Sequence, residues 1–352
     1  MKTAFTHSFS AYEESSGEQL HKQIVRESRV AKTEFTLRKH TTEELLEQQK
    51  RTTFNLNKEL VYVLDNRWKV CSEFGFIVSP DGNIITESFS FPDEHEARKY
   101  LKKTIENQTS SEHKHIDGAA FVFTNVGFDN YYHALSELLP RLEWYLPFQL
   151  KAKLLVMKDS PDFVLNALSM LGVSESDIIW QEPGFSYSAD ALITLPYGLN
   201  FIPERFQFLR QKLLQPVDSI QKERKIYIPR PLNYIRSISN EEELIPVLKE
   251  YGFEIVDTEK LSLEEQISVF SETSHIAGPH GAGLTNILWQ DVPNLLEIRP
   301  RDYNNQCFEH LALALGARNL SVLEAETEDP KRLSMNVDVD TFAEELAHFS
   351  GM

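Results

Sequence analysis

The chain has 352 residues, 41% hydrophobic and 25% charged, the balance of a soluble globular protein long enough for two domains. Its 53 acidic residues outnumber 36 basic ones, giving a net charge of −17. That balance excludes nucleic acid as a main partner, because gripping a phosphate backbone needs an excess of Lys and Arg. A local basic pocket for a small anion stays open, since Lys222, Arg224, Lys225, Arg230 and Arg236 fall within fifteen positions. Two cysteines, Cys71 and Cys307, are too few for a disulfide framework or a cysteine-rich zinc site. The N-terminal "MKTAFTHSFSAYEESSGEQL" has no apolar h-region and no window is apolar enough to span a bilayer, so the expected location is cytoplasmic.

In chain order, a polar and helix-prone stretch runs through Gln48 and gives way to strand-like runs around "SPDGN", a hairpin turn centred on Asp81 and Gly82. Residues 1–117 therefore read as an N-terminal α+β region. Within it, the two histidines of "HKH" at 113–115 read as loop residues rather than ligands. From residue 118 short apolar runs alternate with helical periods. "GAAFVF" reads as a strand, "NYYHALSELL" as a helix and "KLLVMK" as a strand. "SPDFVLNALSMLG" is a helix with Ser160 as N-cap and Pro161 at N1, and "DIIW", "ALITLP" and the helix "PERFQFLRQKLL" follow. Residues 118–215 read as a first Rossmann-like domain.

The polar segment at 215–225 serves as a linker, and the alternation restarts. The strands "KIYIPR", "FEIVD", "HIAG", "NLLEIR" and "LSVLEA" are separated by helical segments, two of them opened by capping boxes at Ser239/Glu242 and Ser262/Glu265. Residues 225–339 thus form a second, doubly wound domain, and 340–352 a helix that packs back. The expected fold class is α/β, two Rossmann-like domains facing a cleft, with the additional N-terminal α+β region.

The stretch "SHIAGPHGAGLTNILW" turns from strand to helix through Gly278, Gly281 and Gly283. Glycines there let a ligand approach the backbone and tolerate positive φ, and the following helix aims free N–H groups and its dipole at the spot. His280 can donate to a phosphate oxygen, and Thr285 and Asn286 add short hydrogen-bonding side chains. There is no GxGxxG and no GxxxxGK[ST], so neither a nicotinamide site nor a P-loop is indicated.

"GPHGAGLTN", preceded by "KIYIPR", resembles glycosyltransferase family 61, and "NYYHALSELLPRL" resembles the family's "N-x-x-H-W-L…LPRL" block, with Ala134 in place of its tryptophan. The resemblance covers roughly 118–325. It implies an inverting GT-B transferase that moves a sugar from a nucleotide donor, a UDP-sugar, to a saccharide acceptor in surface polysaccharide or lipopolysaccharide synthesis. It leaves room for peripheral membrane association through the acceptor. A catalytically silent nucleotide-sugar binder of the same fold is the rival reading. In such an enzyme Arg230, Arg236, His280, Gly281, Ala282, Gly283, Thr285 and Asn286 would hold the donor's diphosphate, and Glu297 a ribose hydroxyl. His133 and Glu137, four apart on one helix face, would supply a general base and its orienting partner, in either order. "DVD" at 338–340 reads as structural, Asp340 capping the last helix, so no metal or other cofactor is expected. On this reading His280→Ala lowers donor affinity or turnover without loss of folding.

Overall fold

The computed structural model describes residues 5–7, 9–28, 33–40, 45–52, 57–71, 75–88, 112–149, 151–196, 202–214 and 223–351. Most of the proposed linker, residues 215–222 with Lys222, lies outside the described residues. The chain divides into two compact units: residues 1–29 with 55–205, and residues 30–54 with 206–352.

The first unit is a mixed sheet. Strand Glu112–Phe123 pairs in parallel with Ala152–Met157, which pairs in parallel with Ile178–Gln181. On its other side lies Phe185–Thr194, parallel to it and antiparallel to Asn57–Leu64 and Lys69–Cys71. The expectation of a Rossmann-like half is corrected here. Only residues 182–184 separate the last two parallel strands, too few for a crossover helix, and antiparallel strands complete the sheet. "HKH" is corrected as well: it begins the strand 112–123, where His113 and His115 bond the hydroxyls of Ser186 and Ser188 and the carboxylate of Asp190. Ser160 does not cap the next helix, because Pro161 is still extended (ψ 157°) and Asp162 opens Asp162–Met170. The hairpin at "SPDGN" forms between Ile77–Val78 and Ile84–Ile85, with Gly82 at φ 86°. Trp68, Val70, Ile77, Tyr187 and Leu192 share its core, where Tyr12 packs edge-on against Trp68 at 4.7 Å.

The N-terminal stretch expected to be helical contributes one short helix, Phe9–Ser16, and the strands His21–Ser28, Thr33–His40 and Leu45–Thr52. Strand pairing overrides local propensity there.

The second unit follows the expected alternation. It contains β1 (Arg224–Tyr227), α1 (Glu241–Glu250), β2 (Phe253–Ile255), α2 (Leu263–Ser271), β3 (Thr273–Pro279), β4 (Asn294–Pro300), α3 (Cys307–Ala314), β5 (Asn319–Asp329), β6 (Ser334–Asn336) and α4 (Val339–Phe349). Strands β2-β1-β3-β4-β5 lie side by side, all parallel, a doubly wound order in which the chain reverses direction of growth at β1/β3. Thr33–His40 extends the sheet beyond β5. In α4, Phe342, Leu346 and Phe349 recur at helical spacing and pack on Leu244 and Leu248 of α1. Each such burial contributes roughly 1.5–3 kcal/mol, which fixes α4 to this unit. Ser262 and Glu265 form the expected capping box on α2. Ser239 does not form one with Glu242: its hydroxyl donates to the Met335 carbonyl, and Asn240 holds the N-cap position of α1. Asp338, not Asp340, caps α4, accepting from the Thr341 N–H at 2.8 Å.

Candidate functional site

In a doubly wound sheet, ligands bind beyond the carboxyl ends of the strands at the reversal point. There, Ile228, Pro229 and Arg230 follow β1, Asp257, Thr258 and Glu259 follow β2, Pro279 ends β3, and Gly281 and Gly283 follow it. Together with Pro231, Tyr234 and Leu284 they line a small open cleft.

The glycines act by lacking Cβ, not by backbone freedom, since none of the three has positive φ. A Cβ on Gly281 would come within 2.2 Å of Arg230 Nη1, so this glycine lets the guanidinium lie on the turn. A Cβ on Gly278 would meet the Ile228 carbonyl oxygen at 2.7 Å, which is strand-to-strand contact. Arg230 is further held by its Nε–H, which donates to the Ile235 carbonyl at 2.5 Å. Burial, and then repulsion from Arg236, lower its pKa from the usual value, yet a guanidinium stays charged. Neither arginine meets a carboxylate at ion-pair distance among the described residues. Two cations beside one turn are a reason for an anion to bind there.

Arg236 sits in the left-handed region (φ 63°), tied by its N–H to the Arg332 carbonyl at 2.8 Å. Its Nε donates to the His280 carbonyl at 3.2 Å and its guanidinium lies 4.9 Å from the Tyr303 ring centre. The arginine thus clamps the turn's main chain.

Several predicted ligands are placed elsewhere. The His280 side chain is 4% exposed, its Nδ1 against the carboxylate of Glu297, its ring edge-on to Tyr303 and Phe308 at 4.9 Å each. Glu297 is fully buried, so its partner is that ring and not a ribose. The reason is strand geometry: His280 N–H still donates to the Ile298 carbonyl at 2.8 Å, and the side chain at that position points into the unit's interior. Two residues on, Arg299 bonds Glu309 at 2.6 Å and Glu324 at 3.3 Å, and its charge balances the buried carboxylates. The segment Ala282–Trp289 is a 3₁₀ helix rather than the expected α-helix. Thr285 and Asn286 are buried in it, and Asn286 Nδ2 donates to Gln266 of α2 at 2.9 Å and to the Gly283 carbonyl at 3.0 Å. Ala282 is half-buried in the first turn. Residues missed from the sequence are Tyr234, Asp257, Thr258 and Glu259. The signal that could have found them was their place just after β1 and β2, the strands flanking the reversal point.

In the first unit, the turn after strand 112–123 leads into Tyr131–His133, a π turn at Ala134–Leu138 and a 3₁₀ turn at Leu139–Arg141 holding Pro140. His133 Nδ1 stands 3.0 Å from Glu137 Oε1, with side chains 35% and 3% exposed. That contact has ion-pair distance without good N–H alignment, so charge carries it. Asn125 Nδ2 donates to Glu137 Oε2 at 3.3 Å, and the His133 ring packs on Gly127, where a Cβ would come within 2.6 Å. Burial pulls the His133 pKa down, but the Glu137 carboxylate overcomes it and leaves the imidazole above its ordinary value. Such a dyad can take a proton from a hydroxyl and stabilise the resulting imidazolium.

Residues 131–294 match the family model described as Glycosyltransferase 61. Over that stretch the chain is similar to this family. The matched segment contains His133, Glu137, Arg230, Arg236 and the whole 280–286 turn, and ends before Glu297. The chain is similar to an EGF domain-specific O-linked N-acetylglucosamine transferase of Drosophila melanogaster, 31% identical over 119 residues. That alignment covers 32% of this chain and 22% of the fly protein, so the chain spans about a fifth of its relative. Solved structures that it resembles include the flavodiiron core of Flv1 from Synechocystis sp. PCC6803, at 9% identity, TM-score 0.26 and coverage of 83% and 89%. Another is rubredoxin:oxygen oxidoreductase from Desulfovibrio gigas, at 12% identity, TM-score 0.26 and coverage of 99% and 72%. Similarity at that level carries no argument about fold or function. No helix among the described residues is long and apolar enough to cross a membrane.

Proposed function

We propose that the chain is an inverting glycosyltransferase that moves a sugar from a nucleotide donor, a UDP-sugar, to a saccharide acceptor. The observation that carries this reading is the Arg230 guanidinium laid over Gly281 beside Arg236, at the reversal point of a parallel sheet. In the reaction the acceptor hydroxyl loses its proton to His133 as its oxygen attacks the anomeric carbon, and the nucleoside diphosphate leaves. Glu137, buried and held by Asn125, orients the ring and stabilises its charge. His133 is the base because it is the more exposed of the two. Arg230 and the backbone around Gly281 stabilise the negative charge growing on the diphosphate, work that preorganised donors do well.

Transfer is proposed to be metal-independent, with the acceptor belonging to a cell-surface polysaccharide or lipopolysaccharide made at the cytoplasmic face of a membrane. Activity lost in excess EDTA and restored by Mn²⁺ or Mg²⁺ would overturn the first point. The decisive test is a panel of UDP-, GDP- and CMP-sugars scored by thermal stabilisation, since a ligand that binds the folded state raises its stability. The fly relative's name puts N-acetylglucosamine first among the sugars to try. Stabilisation by one nucleotide-sugar and release of its nucleoside diphosphate support the proposal. Binding without any release would instead make the chain a silent binder, and no binding would refute the site.

A further inference from the structure

The buried pair of Glu297 and His280 ends on a sulfur. The Glu297 carboxylate stands against His280 Nδ1, so that nitrogen keeps the ring's proton and Nε2 is left with its lone pair. Cys307 Sγ lies 3.9 Å from Nε2, and no other polar atom bonds that nitrogen among the described residues. Glu297 belongs to β4, His280 directly follows β3, and Cys307 opens α3. Three separate elements thus bring a carboxylate, an imidazole and a thiol into one chain of contacts.

Burial separates their roles. The Glu297 and His280 side chains are 0% and 4% exposed, whereas Cys307 is half-buried, so the thiol is the member that solvent reaches. An imidazole held by a carboxylate and aimed at a thiol activates a weak nucleophile: the ring takes the thiol proton and the carboxylate stabilises the imidazolium. The helix works in the same direction. Cys307 occupies the first position of α3, fixed there by its N–H, which donates to Asn305 Oδ1 at 3.0 Å. The positive end of the helix dipole favours a thiolate at that position. Nearby charges leave this intact. Glu309, in the same first turn, is balanced by Arg299 at 2.6 Å, and Arg236 lies against the Tyr303 ring that packs edge-on to His280.

We propose that Cys307 is a modification site, a nucleophilic thiol with His280 as its base, which hydroperoxides oxidise to the sulfenic acid. The thiol proton passes to His280 Nε2 and the sulfur attacks one peroxide oxygen. An S–O bond forms as the O–O bond breaks, and the departing oxygen takes the proton back from the imidazolium. With hydrogen peroxide the sulfur loses two electrons and the peroxide is reduced to water.

The test is alkylation of the full chain by iodoacetamide at pH 6, read peptide by peptide by mass spectrometry, with the protein folded and again in urea. An ordinary thiol is almost wholly protonated at that pH and reacts slowly. Cys307 is expected to react roughly tenfold faster in the folded protein than in urea, the gain in thiolate outweighing the lower nucleophilicity of a more acidic thiol. Cys71, 6% exposed in a strand of the first unit, is the internal reference and should react more slowly when folded. A folded-state rate at Cys307 no higher than the rate in urea overturns the proposal. In a second arm the folded protein meets one equivalent of hydrogen peroxide with dimedone, which traps sulfenic acids. Dimedone on Cys307 and not on Cys71 supports the proposal, and its absence from Cys307 refutes it. In His280→Gln, with folding checked by circular dichroism, the fast alkylation should disappear; its persistence in the folded variant removes His280 as the base. The comparison with urea needs no variant, so the proposal stays testable if that substitution unfolds the chain. Both arms run without any nucleotide, and their outcome is independent of the nucleotide-sugar reading.

Discussion

In the first unit the candidate chemistry sits on two side chains one helical turn apart; in the second it sits on a main-chain turn stripped of Cβ atoms. The same kind of sequence clue, a histidine beside small residues, means different things in the two places. His133 is 35% exposed, with the buried Glu137 carboxylate against it. His280 is sealed between Tyr303 and Phe308 against Glu297, and supports the turn from beneath. One histidine is a reactant on this reading, and the other a buttress.

The contrast can be broken most directly at His133. His133→Ala should lower turnover by about a hundred- to ten-thousandfold, the usual contribution of a positioned acid–base group, with folding intact. Near-normal turnover would remove the dyad from the mechanism. At the buttress the loss should be one of stability: Glu297→Ala removes one partner of a buried pair and should cost about 3–5 kcal/mol in denaturant unfolding. If that variant kept its stability and lost only donor affinity, the buried carboxylate would be a ligand after all. His280→Ala, expected from the sequence to spare folding, is now expected to lower the melting temperature too.

Gly281→Ala has a smaller and more selective effect. The added methyl meets the tip of a flexible arginine rather than main chain, so stability should hold while donor affinity falls by roughly tenfold, about the worth of one charge-assisted hydrogen bond. Gly278→Ala, which meets the Ile228 carbonyl, should show the reverse pattern.

The mildest test is pH. The His133 pKa is raised above its ordinary value, near 6.5, by the neighbouring carboxylate. Its pairing with Glu137 therefore adds stability that is fully present below the unfolded pKa and is lost as pH rises through the folded one. Activity needs the neutral ring and should rise over that same interval. Unfolding measured across it should lose this component in His133→Gln, and an unchanged profile would detach the pair from stability.

Much of the second unit was legible because its strands and helices carry periodicity: five parallel strands, the Ser262–Glu265 capping box and the amphipathic α4 all follow from spacing. The first unit was legible only in part. Its polar N-terminal segments become strands by pairing with distant partners, as Thr33–His40 does with β5, and no local pattern announces that. Within the sites, the His133–Glu137 pair was readable because four residues make about one helical turn whatever surrounds them. Glu259 and Tyr234 were not, because nothing in their own segments says which strands will flank the cleft.

By itself, then, the sequence determined the elements of the doubly wound sheet, the glycine-lined turn and the helical His–Glu pair, since each depends on residues near one another in the chain. Only the tertiary structure decided which side of that turn His280, Thr285, Asn286 and Glu297 would face. It also brought the ends of β1, β2 and β3 together around one cleft. Side-chain direction at a strand end is fixed by the neighbouring strand's register and by what is packed beneath, and both come from parts of the chain far away in sequence.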